Sequence, residues 1–268
     1  LLDPPRETTK QAVAACHGAG VRVVMVTGDQ EETARAIAEE LGLEFVDEDG
    51  DGRLDVIHGA DLPPAEEWDD DTRERLARAA VFARLEPAQK LDLIRLSRDR
   101  GEIVAMTGDG VNDAPALEAA DIGIAMGDKG TQVARDAADI ILEDDAFESI
   151  VTAIREGRTV FENIRRFVVY LLSGNLGEIL AVTLAALVGS ALPLLPLQIL
   201  FINLISDVFP AAALGVVPGD DTSLDRPPRD PDTPILDRQR WIETGLWALL
   251  IGGMTLATFA YALGPGGL

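Results

Sequence analysis

The densest group of potentially reactive side chains directly follows the apolar run 103–106. Two carboxylates and an amide, those of Asp109, Asn112 and Asp113, stand close together and are interspersed with glycine. Glycine allows the backbone to turn sharply and to approach a ligand closely. The apolar run predicts a buried strand, and open α/β sheets bind ligands at the carboxyl ends of their strands. Hard oxygen ligands in that place favour Mg²⁺, and Mg²⁺ in turn indicates a phosphate.

A second strand end carries a hydroxyl and a carboxylate. The β-branched run 21–26 predicts a strand that ends in Thr27-Gly28-Asp29, and a helix is predicted at about 31–41. A threonine hydroxyl and the unpaired N–H groups of a helix start hold an anion well. By itself this tripeptide is a weak signal, and an ordinary turn without chemistry is the default interpretation.

A third strand end is followed by two basic residues. The short apolar run 80–83 precedes Arg84, and Lys90 falls in the first turn of the amphipathic helix that comes next. Taken alone, Lys90 is consistent with a solvated lysine on a helix surface. Its place just after a strand end weakens that interpretation.

These elements alternate in the order that a parallel sheet requires. Two more apolar runs, 122–126 and 140–142, extend the series of strands and helices. The pattern predicts a doubly wound, Rossmann-like α/β domain over residues 1–148. An all-α membrane region is predicted over residues 149–268.

The membrane region is predicted from three long apolar segments. An amphipathic stretch at 149–166 runs without a break signal into the span 167–188, and further spans are predicted at 197–217 and 241–263. Each is long enough to cross a bilayer. Arginines before the first span and at the end of the polar loop 218–240 place residues 1–166 and this loop in the cytoplasm, with a cell membrane as the expected location.

Two of the spans contain polar residues that hydrocarbon would exclude. In each span they recur at helical spacing on one face, and an ionisable residue at such depth indicates a functional site. Pro210 predicts that the second span is bent or unwound nearby. Amide, hydroxyl and carboxylate oxygens select a hard cation such as Ca²⁺, whereas the alternative is a hydrogen-bond network that only holds the helices together. The polar residues are Asn175, Glu178, Asn203, Ser206 and Asp207.

Composition narrows the choice of function. The 268 residues carry a formal net charge of −23, and the sequence has no basic stripe that could neutralise a nucleic acid. The single cysteine, Cys16, excludes an internal disulfide and fits a reducing compartment. The chain begins at Leu1 without a signal peptide, which leads us to expect the downstream part of a longer protein.

Several motifs together resemble the phosphorylation domain of P-type ATPases, within the haloacid dehalogenase superfamily. These are Thr27-Gly28-Asp29, Lys90 and the stretch T-G-D-G-V-N-D-A-P at 107–115. The segments 170–178 and 203–207 are similar to the fifth and sixth membrane helices of calcium pumps of the sarcoplasmic-reticulum type. The sequence D-R-P-P-R at 225–229 resembles the loop that follows the sixth helix.

The resemblance implies roles for residues in three sites. ATP and its phosphoryl group would be contacted by Arg6, Thr27, Gly28, Asp29, Arg84, Lys90 and Asn112. Catalysis would use Thr27, Gly28, Asp29, Lys90, Asn112 and Asp113. Mg²⁺ would be held by Asp109 and Asp113. The transported cation, Ca²⁺, would be held by Asn175, Glu178, Asn203, Ser206 and Asp207.

The sequence also departs from the family pattern. The family's nucleophile is the aspartate of D-K-T-G-T, whereas Asp128-Lys129-Gly130-Thr131 lacks the first threonine and follows a different strand. The actuator domain, the nucleotide-binding domain and the first four membrane helices are also absent, so the chain is not expected to be active by itself. The alternatives are a pump for Mn²⁺ or Na⁺, or a non-catalytic, membrane-anchored module that binds Mg²⁺ or phosphate.

Overall fold

A computed structural model describes residues 7–43, 54–219 and 221–264. The chain forms two compact units, which meet in the sequence between Ile154 and Arg155. The first unit also includes Leu224–Pro228 from the loop before the last helix. The division falls a few residues after the predicted boundary at 148/149, inside a helix and not ahead of it.

The first unit alternates short strands with helices, as predicted. In chain order its elements are α1 Glu7–Gly18, β1 Met25–Thr27, α2 Glu31–Leu41, β2 Val56–His58, α3 Asp70–Arg78, β3 Val81–Ala83, α4 Pro87–Asp99, β4 Ala105–Gly108, α5 Ala114–Ala119, β5 Ile122–Met126, α6 Gln132–Ala137 and β6 Ile140–Leu142. Short 3₁₀ turns lie at Gly59–Asp61, Ala65–Glu67 and Val111–Asp113.

All described strand pairs are parallel, which confirms the predicted α/β class. They form two three-stranded sheets, in the orders β1-β3-β2 and β4-β5-β6, where the sequence had led us to expect one. Within the described residues β1 pairs only with β3, and β4 pairs only with β5. Each therefore keeps one strand edge without a partner.

The central strand β3 illustrates why helices must cover both faces of the first sheet. Val81 and Ala83 pack into one cluster with residues of α1 and α2, whereas Phe82 packs into another with residues of α3 and α4. All three residues are almost completely buried. Successive strand residues point to opposite faces, so a strand that is apolar throughout is stable only when both faces are covered.

The strands begin later in the sequence than predicted. The runs 21–26 and 103–106 predicted β1 and β4, but the paired residues are Met25–Thr27 and Ala105–Gly108. The polar residue Thr27 therefore lies within a strand, with Ala83 as its register partner. The candidate functional residues therefore include the last residue of a strand as well as the turn that follows it.

The second unit contains most of α7 (Glu148–Leu187) together with α8 (Pro196–Gly215) and α9 (Arg238–Leu263). All three helices are long and apolar enough to cross a membrane. The uninterrupted α7 agrees with the predicted continuous stalk and span. The helix α8 continues through Pro210, so the expectation that it is unwound there is wrong, whereas a bend stays a prediction.

A close crossing of α7 and α9 depends on glycine. A Cβ atom on Gly177 would lie 2.9 Å from Cγ2 of Ile251, and one on Gly252 would lie 2.9 Å from the carbonyl oxygen of Gly177. By contrast, no described atom lies within 4 Å of the Cβ position at Gly174. Small residues that let helix backbones approach are a common basis of packing in membranes.

We expect Gly177→Leu to destabilise this chain, because the added side chain would force α7 and α9 apart. Overpacking of this kind costs about 1–3 kcal/mol. Thermal unfolding of the chain in detergent, followed by circular dichroism, should show a lower midpoint for this variant. Gly174→Leu is the matched control and should unfold like the original chain; equal losses for both variants would refute the crossing.

Candidate functional site

The aqueous site is built on the turn between β4 and α5. A Cβ atom on Gly108 would lie 2.6 Å from the Cβ of Asp113, so only glycine fits at the end of this strand. The backbone N–H of Gly110 donates a hydrogen bond of 3.3 Å to Oδ2 of Asp113. The turn thereby folds Asp113 back under the strand end, where its side chain is largely buried.

Lys90 and Asp113 form an ion pair that joins α4 to this turn. The Nζ atom of Lys90 lies 2.7 Å from Oδ1 of Asp113, and their side chains are only 18% and 12% exposed. The structure thus places Lys90 beside the turn that follows β4. Both carboxylate oxygens of Asp113 accept hydrogen bonds, one of them from Lys90, so Asp113 holds Lys90 in place. Its role as a Mg²⁺ ligand stays a prediction.

Asp109 and Asn112 are placed differently from Asp113. Both side chains are exposed, and the backbone is fixed by a 2.8 Å hydrogen bond from the N–H of Thr131 to the carbonyl oxygen of Asp109. A carboxylate on a fixed backbone at a strand end suits Mg²⁺, which keeps several waters and takes one or two protein carboxylates. Asp109 therefore fits the predicted metal role.

The end of β1 carries a compact polar turn. The Thr27 hydroxyl lies 3.1 Å from Oδ2 of Asp29 and accepts a hydrogen bond from the N–H of Asp29. The N–H of Arg84 donates to the carbonyl oxygen of Thr27 at 2.7 Å, which connects the ends of β1 and β3. Gly28 and Asp29 are exposed.

Arg84 has an unusual backbone conformation. Its φ of 52° lies in the left-handed region, which costs energy for a residue with a side chain. Such residues cluster at functional sites, so the conformation is consistent with the predicted nucleotide contact. Arg6, the other arginine predicted to support nucleotide, lies outside the described residues.

The membrane helices bring three of the predicted cation ligands together. The side-chain amide of Asn203 in α8 lies 3.1 Å from that of Asn175 in α7. The amide orientation that satisfies its donors and acceptors places the nitrogen of Asn203 3.1 Å from both carboxylate oxygens of Glu178.

Ser206 and Asp207 complete the polar face of α8. They are half-buried, as is Asn203, whereas the residues between these positions are exposed. The Ser206 hydroxyl donates to the carbonyl oxygen of Ile202 at 2.8 Å and lies 3.4 Å from Oδ1 of Asp207. No cluster of three or more His, Cys, Asp or Glu side chains is found among the described residues, so a cation here would need amide and hydroxyl oxygens as well.

The loop after α8 is attached to the first part of α7. The guanidinium of Arg229 stacks 4.1 Å from the ring centroid of Phe161, and the Asn163 amide donates to the carbonyl oxygen of Val217 at 2.9 Å. Nη2 of Arg165 lies 2.9 Å from Oδ2 of Asp237, and the two side chains form an ion pair. A hydrogen bond from the N–H of Arg240, with a smaller effect of Arg165, lowers the pKa of Asp237.

Spacing and composition did not predict these contacts between α7 and the loop after α8. They also assigned no role to Tyr170, whose hydroxyl donates a hydrogen bond of 3.0 Å to the carbonyl oxygen of Ser206. The sequence does contain one signal for the Tyr170 contact. Pro210 lies four residues after Ser206, and proline lacks the N–H that would otherwise bond the Ser206 carbonyl.

Three family models match this chain. Two are described as haloacid dehalogenase-like hydrolase and match residues 1–121 and 92–154. The third is described as cation transporting ATPase, C-terminus, and matches residues 191–267. The matches thus cover the strand-containing unit and the helices α8 and α9, whereas most of α7 lies between the matched ranges.

Relatives match nearly the whole chain. The probable cation-transporting ATPase F of Mycobacterium bovis is 47% identical over 99% of this chain and 29% of its own length. The chain belongs to the cation-transporting P-type ATPase family. The P-type sodium-transporting ATPase4 of Toxoplasma gondii is 44% identical, over 98% of this chain and 20% of its own length. The calcium-transporting ATPase of Bacillus subtilis is 42% identical, over 97% of this chain and 28% of its own length.

This P-type ATPase chain spans less than a third of the length of each of these relatives. Its motifs for phosphate handling and its polar membrane faces both lie inside the matched region. The family therefore agrees with the resemblance seen in the sequence, while the relatives' names differ in the cation that they specify.

We expect Lys90→Met to destabilise the chain by about 1–3 kcal/mol, because it leaves the Asp113 carboxylate buried without its partner. The double variant Lys90→Met, Asp113→Asn should recover part of that loss. Thermal unfolding in detergent, followed by circular dichroism, measures both effects. Lys129→Met, at an exposed lysine, is the control and should change little; simple additivity of the two single losses would contradict the pairing.

Proposed function

We propose that this chain is part of an ATP-driven pump that exports Ca²⁺ from the cytoplasm through an aspartyl-phosphate cycle. The observation that carries the proposal is the meeting of Asn175, Asn203 and Glu178 between two membrane-type helices. An oxygen-rich cluster of this kind is costly in hydrocarbon and suits a hard cation. The phosphate-handling motifs in the same chain supply the source of energy.

In the proposed cycle the aqueous residues position a phosphoryl group and neutralise its charge. Lys90, held by Asp113, supplies a positive charge, and Thr27, Gly28 and Asn112 offer hydrogen-bond donors at the carboxyl ends of β1 and β4. Mg²⁺, held by Asp109, supplies further charge neutralisation for the phosphate when it is bound. Positioning and charge neutralisation carry most of the catalysis in phosphoryl transfer.

The nucleophilic aspartate would come from the upstream part of the whole pump. The edges of β1 and β4 that lack partners among the described strands would accept one more parallel strand between them. An ion pair of 3.5 Å between Arg22 and Glu102 connects the residues just ahead of these two strands. The actuator domain, the nucleotide-binding domain and the first four membrane helices would be further parts of the same pump.

Ca²⁺ is favoured over other hard cations by the uncharged amide at Asn203, where pumps for sodium and potassium tend to carry an aspartate. The printed name of the Bacillus subtilis relative agrees with calcium, whereas that of the Toxoplasma gondii relative specifies sodium. A pump for Mn²⁺ or Na⁺ is therefore the second candidate. A non-catalytic Mg²⁺- or phosphate-binding module would leave the polar cluster of α7 and α8 without a role.

In the bilayer, arginines near the start of the first span and at the end of the polar loop orient the pump. The first unit and the loop between α8 and α9 would face the cytoplasm. Cytoplasmic ATP would then reach the aqueous residues, and the cation would leave on the opposite side. We place the pump in the cell membrane.

We expect Ca²⁺ to stimulate ATP hydrolysis by the full-length pump more strongly than Mn²⁺ or Na⁺. Glu178→Gln should abolish the stimulation, because it removes the central carboxylate of the cluster. Phosphorylation by inorganic phosphate in the absence of Ca²⁺ should remain, since it depends on the aqueous residues. Glu156→Gln, at an exposed position of the same helix, is the matched control and should keep the stimulation. If Mn²⁺ or Na⁺ stimulates hydrolysis and Ca²⁺ does not, the transported cation is that ion and the calcium proposal is refuted.

We also expect proton countertransport, because Glu178 and Asp207 lose a neutralising charge when the cation leaves and burial disfavours bare carboxylates. In sealed inverted vesicles, ATP-driven Ca²⁺ uptake should make the lumen more alkaline. A pH-sensitive dye inside the vesicles, with a protonophore as the control, measures this effect. Ca²⁺ uptake without a change in luminal pH would refute it.

A further inference from the structure

Pro210 deprives one carbonyl group in α8 of its usual partner. In an α-helix the N–H of each residue bonds the carbonyl four residues earlier, and proline has no N–H. The carbonyl affected by Pro210 is that of Ser206. The helix is nevertheless continuous from Pro196 to Gly215, and inside a bilayer no water is present to take the place of the lost donor.

A side chain from the neighbouring helix replaces the missing donor. The phenolic hydroxyl of Tyr170 in α7 lies 3.0 Å from the carbonyl oxygen of Ser206. The hydroxyl of Ser206 itself is already bonded to the carbonyl oxygen of Ile202 at 2.8 Å. The carbonyl that proline leaves without a donor and the donor from α7 therefore meet at one point.

This hydrogen bond acts on the peptide group that leads into Asp207. The Ser206 carbonyl and the Asp207 nitrogen belong to the same planar peptide unit, so fixing the carbonyl also fixes the direction in which the Asp207 backbone leaves it. One turn earlier, Asn203 meets Asn175. The polar face of α8 is thus held against α7 at two neighbouring points, one of them next to Asp207.

We propose that Tyr170 is a positioning residue for the cation site: its hydroxyl satisfies the Ser206 carbonyl that Pro210 leaves without a donor, and so fixes the backbone that carries Asp207. The inference rests on the proposed function, because Asp207 and Glu178 are taken there as cation ligands. Tyr170 itself is not a ligand in this proposal. Its effect on the cation passes through the peptide group between Ser206 and Asp207.

The test uses the full-length pump and equilibrium binding of radioactive Ca²⁺ to the purified protein in detergent. We expect Tyr170→Phe to weaken binding about tenfold, because a carbonyl inside the bilayer loses its donor while the aromatic ring is kept. Tyr261→Phe is the matched control, at the other tyrosine of this chain, which is exposed on α9. It should bind Ca²⁺ like the original protein.

A double-mutant cycle separates positioning from a general structural role. Pro210→Ala restores an N–H that can bond the Ser206 carbonyl, so Tyr170→Phe should cause no further loss of affinity in that background. Phosphorylation by inorganic phosphate without Ca²⁺ reports whether each variant is folded, and it should be unchanged throughout. Equal losses in both backgrounds, or unchanged or tighter binding by Tyr170→Phe, would overturn the positioning role.

Failure of the proposed function has a different signature. If the unsubstituted full-length protein neither binds Ca²⁺ nor hydrolyses ATP in response to Ca²⁺, Mn²⁺ or Na⁺, both proposals are overturned. If it responds to one of these cations, the same cycle is measured with that cation. A loss that Pro210→Ala does not suppress then overturns only the role of Tyr170.

Discussion

Hydrocarbon offers no hydrogen-bond partners, so the polar groups in α7 and α8 can be stabilised only by one another. Asn175, Glu178 and Asn203 meet at one level, and Tyr170 meets the Ser206 carbonyl at the next. The two contacts together set which turns of the helices lie side by side. A cluster that only joined helices would not need carboxylates, whereas a cation site does, and this difference underlies the proposed transport function.

The same requirement, that buried charges must be paired, shapes the aqueous site. Asp113 is tucked under β4, where Gly108 leaves room for it, and Lys90 neutralises it from α4. The pair uses one of the two carboxylates that the sequence assigned to Mg²⁺, and the other, Asp109, is exposed. The two carboxylates of one motif therefore lie in different environments: Asp113 is paired with a lysine, and Asp109 faces the solvent.

Much of the fold could be predicted because its signals are local. Apolar runs predicted all described strands except β2, and the spacing of polar residues predicted which side of α8 would be half-buried. The boundaries were less accurate: β1 and β4 pair through residues later than their most apolar stretches. A strand end depends on the neighbouring strand that it pairs with, and the sequence of the strand does not contain that information.

The sequence by itself determined the class of the first unit, the three membrane-type helices and the residue types at both sites, since these follow from composition and periodicity along the chain. Tertiary structure decided which distant residues meet: Lys90 with Asp113, Asn203 with Glu178, and Tyr170 with the Ser206 carbonyl. It also decided that α8 stays helical through Pro210. These contacts, and the continuity of α8, depend on hydrogen-bond donors and charges that lie on other helices. The spacing of residues within one segment cannot specify which residue of another segment will pack against it.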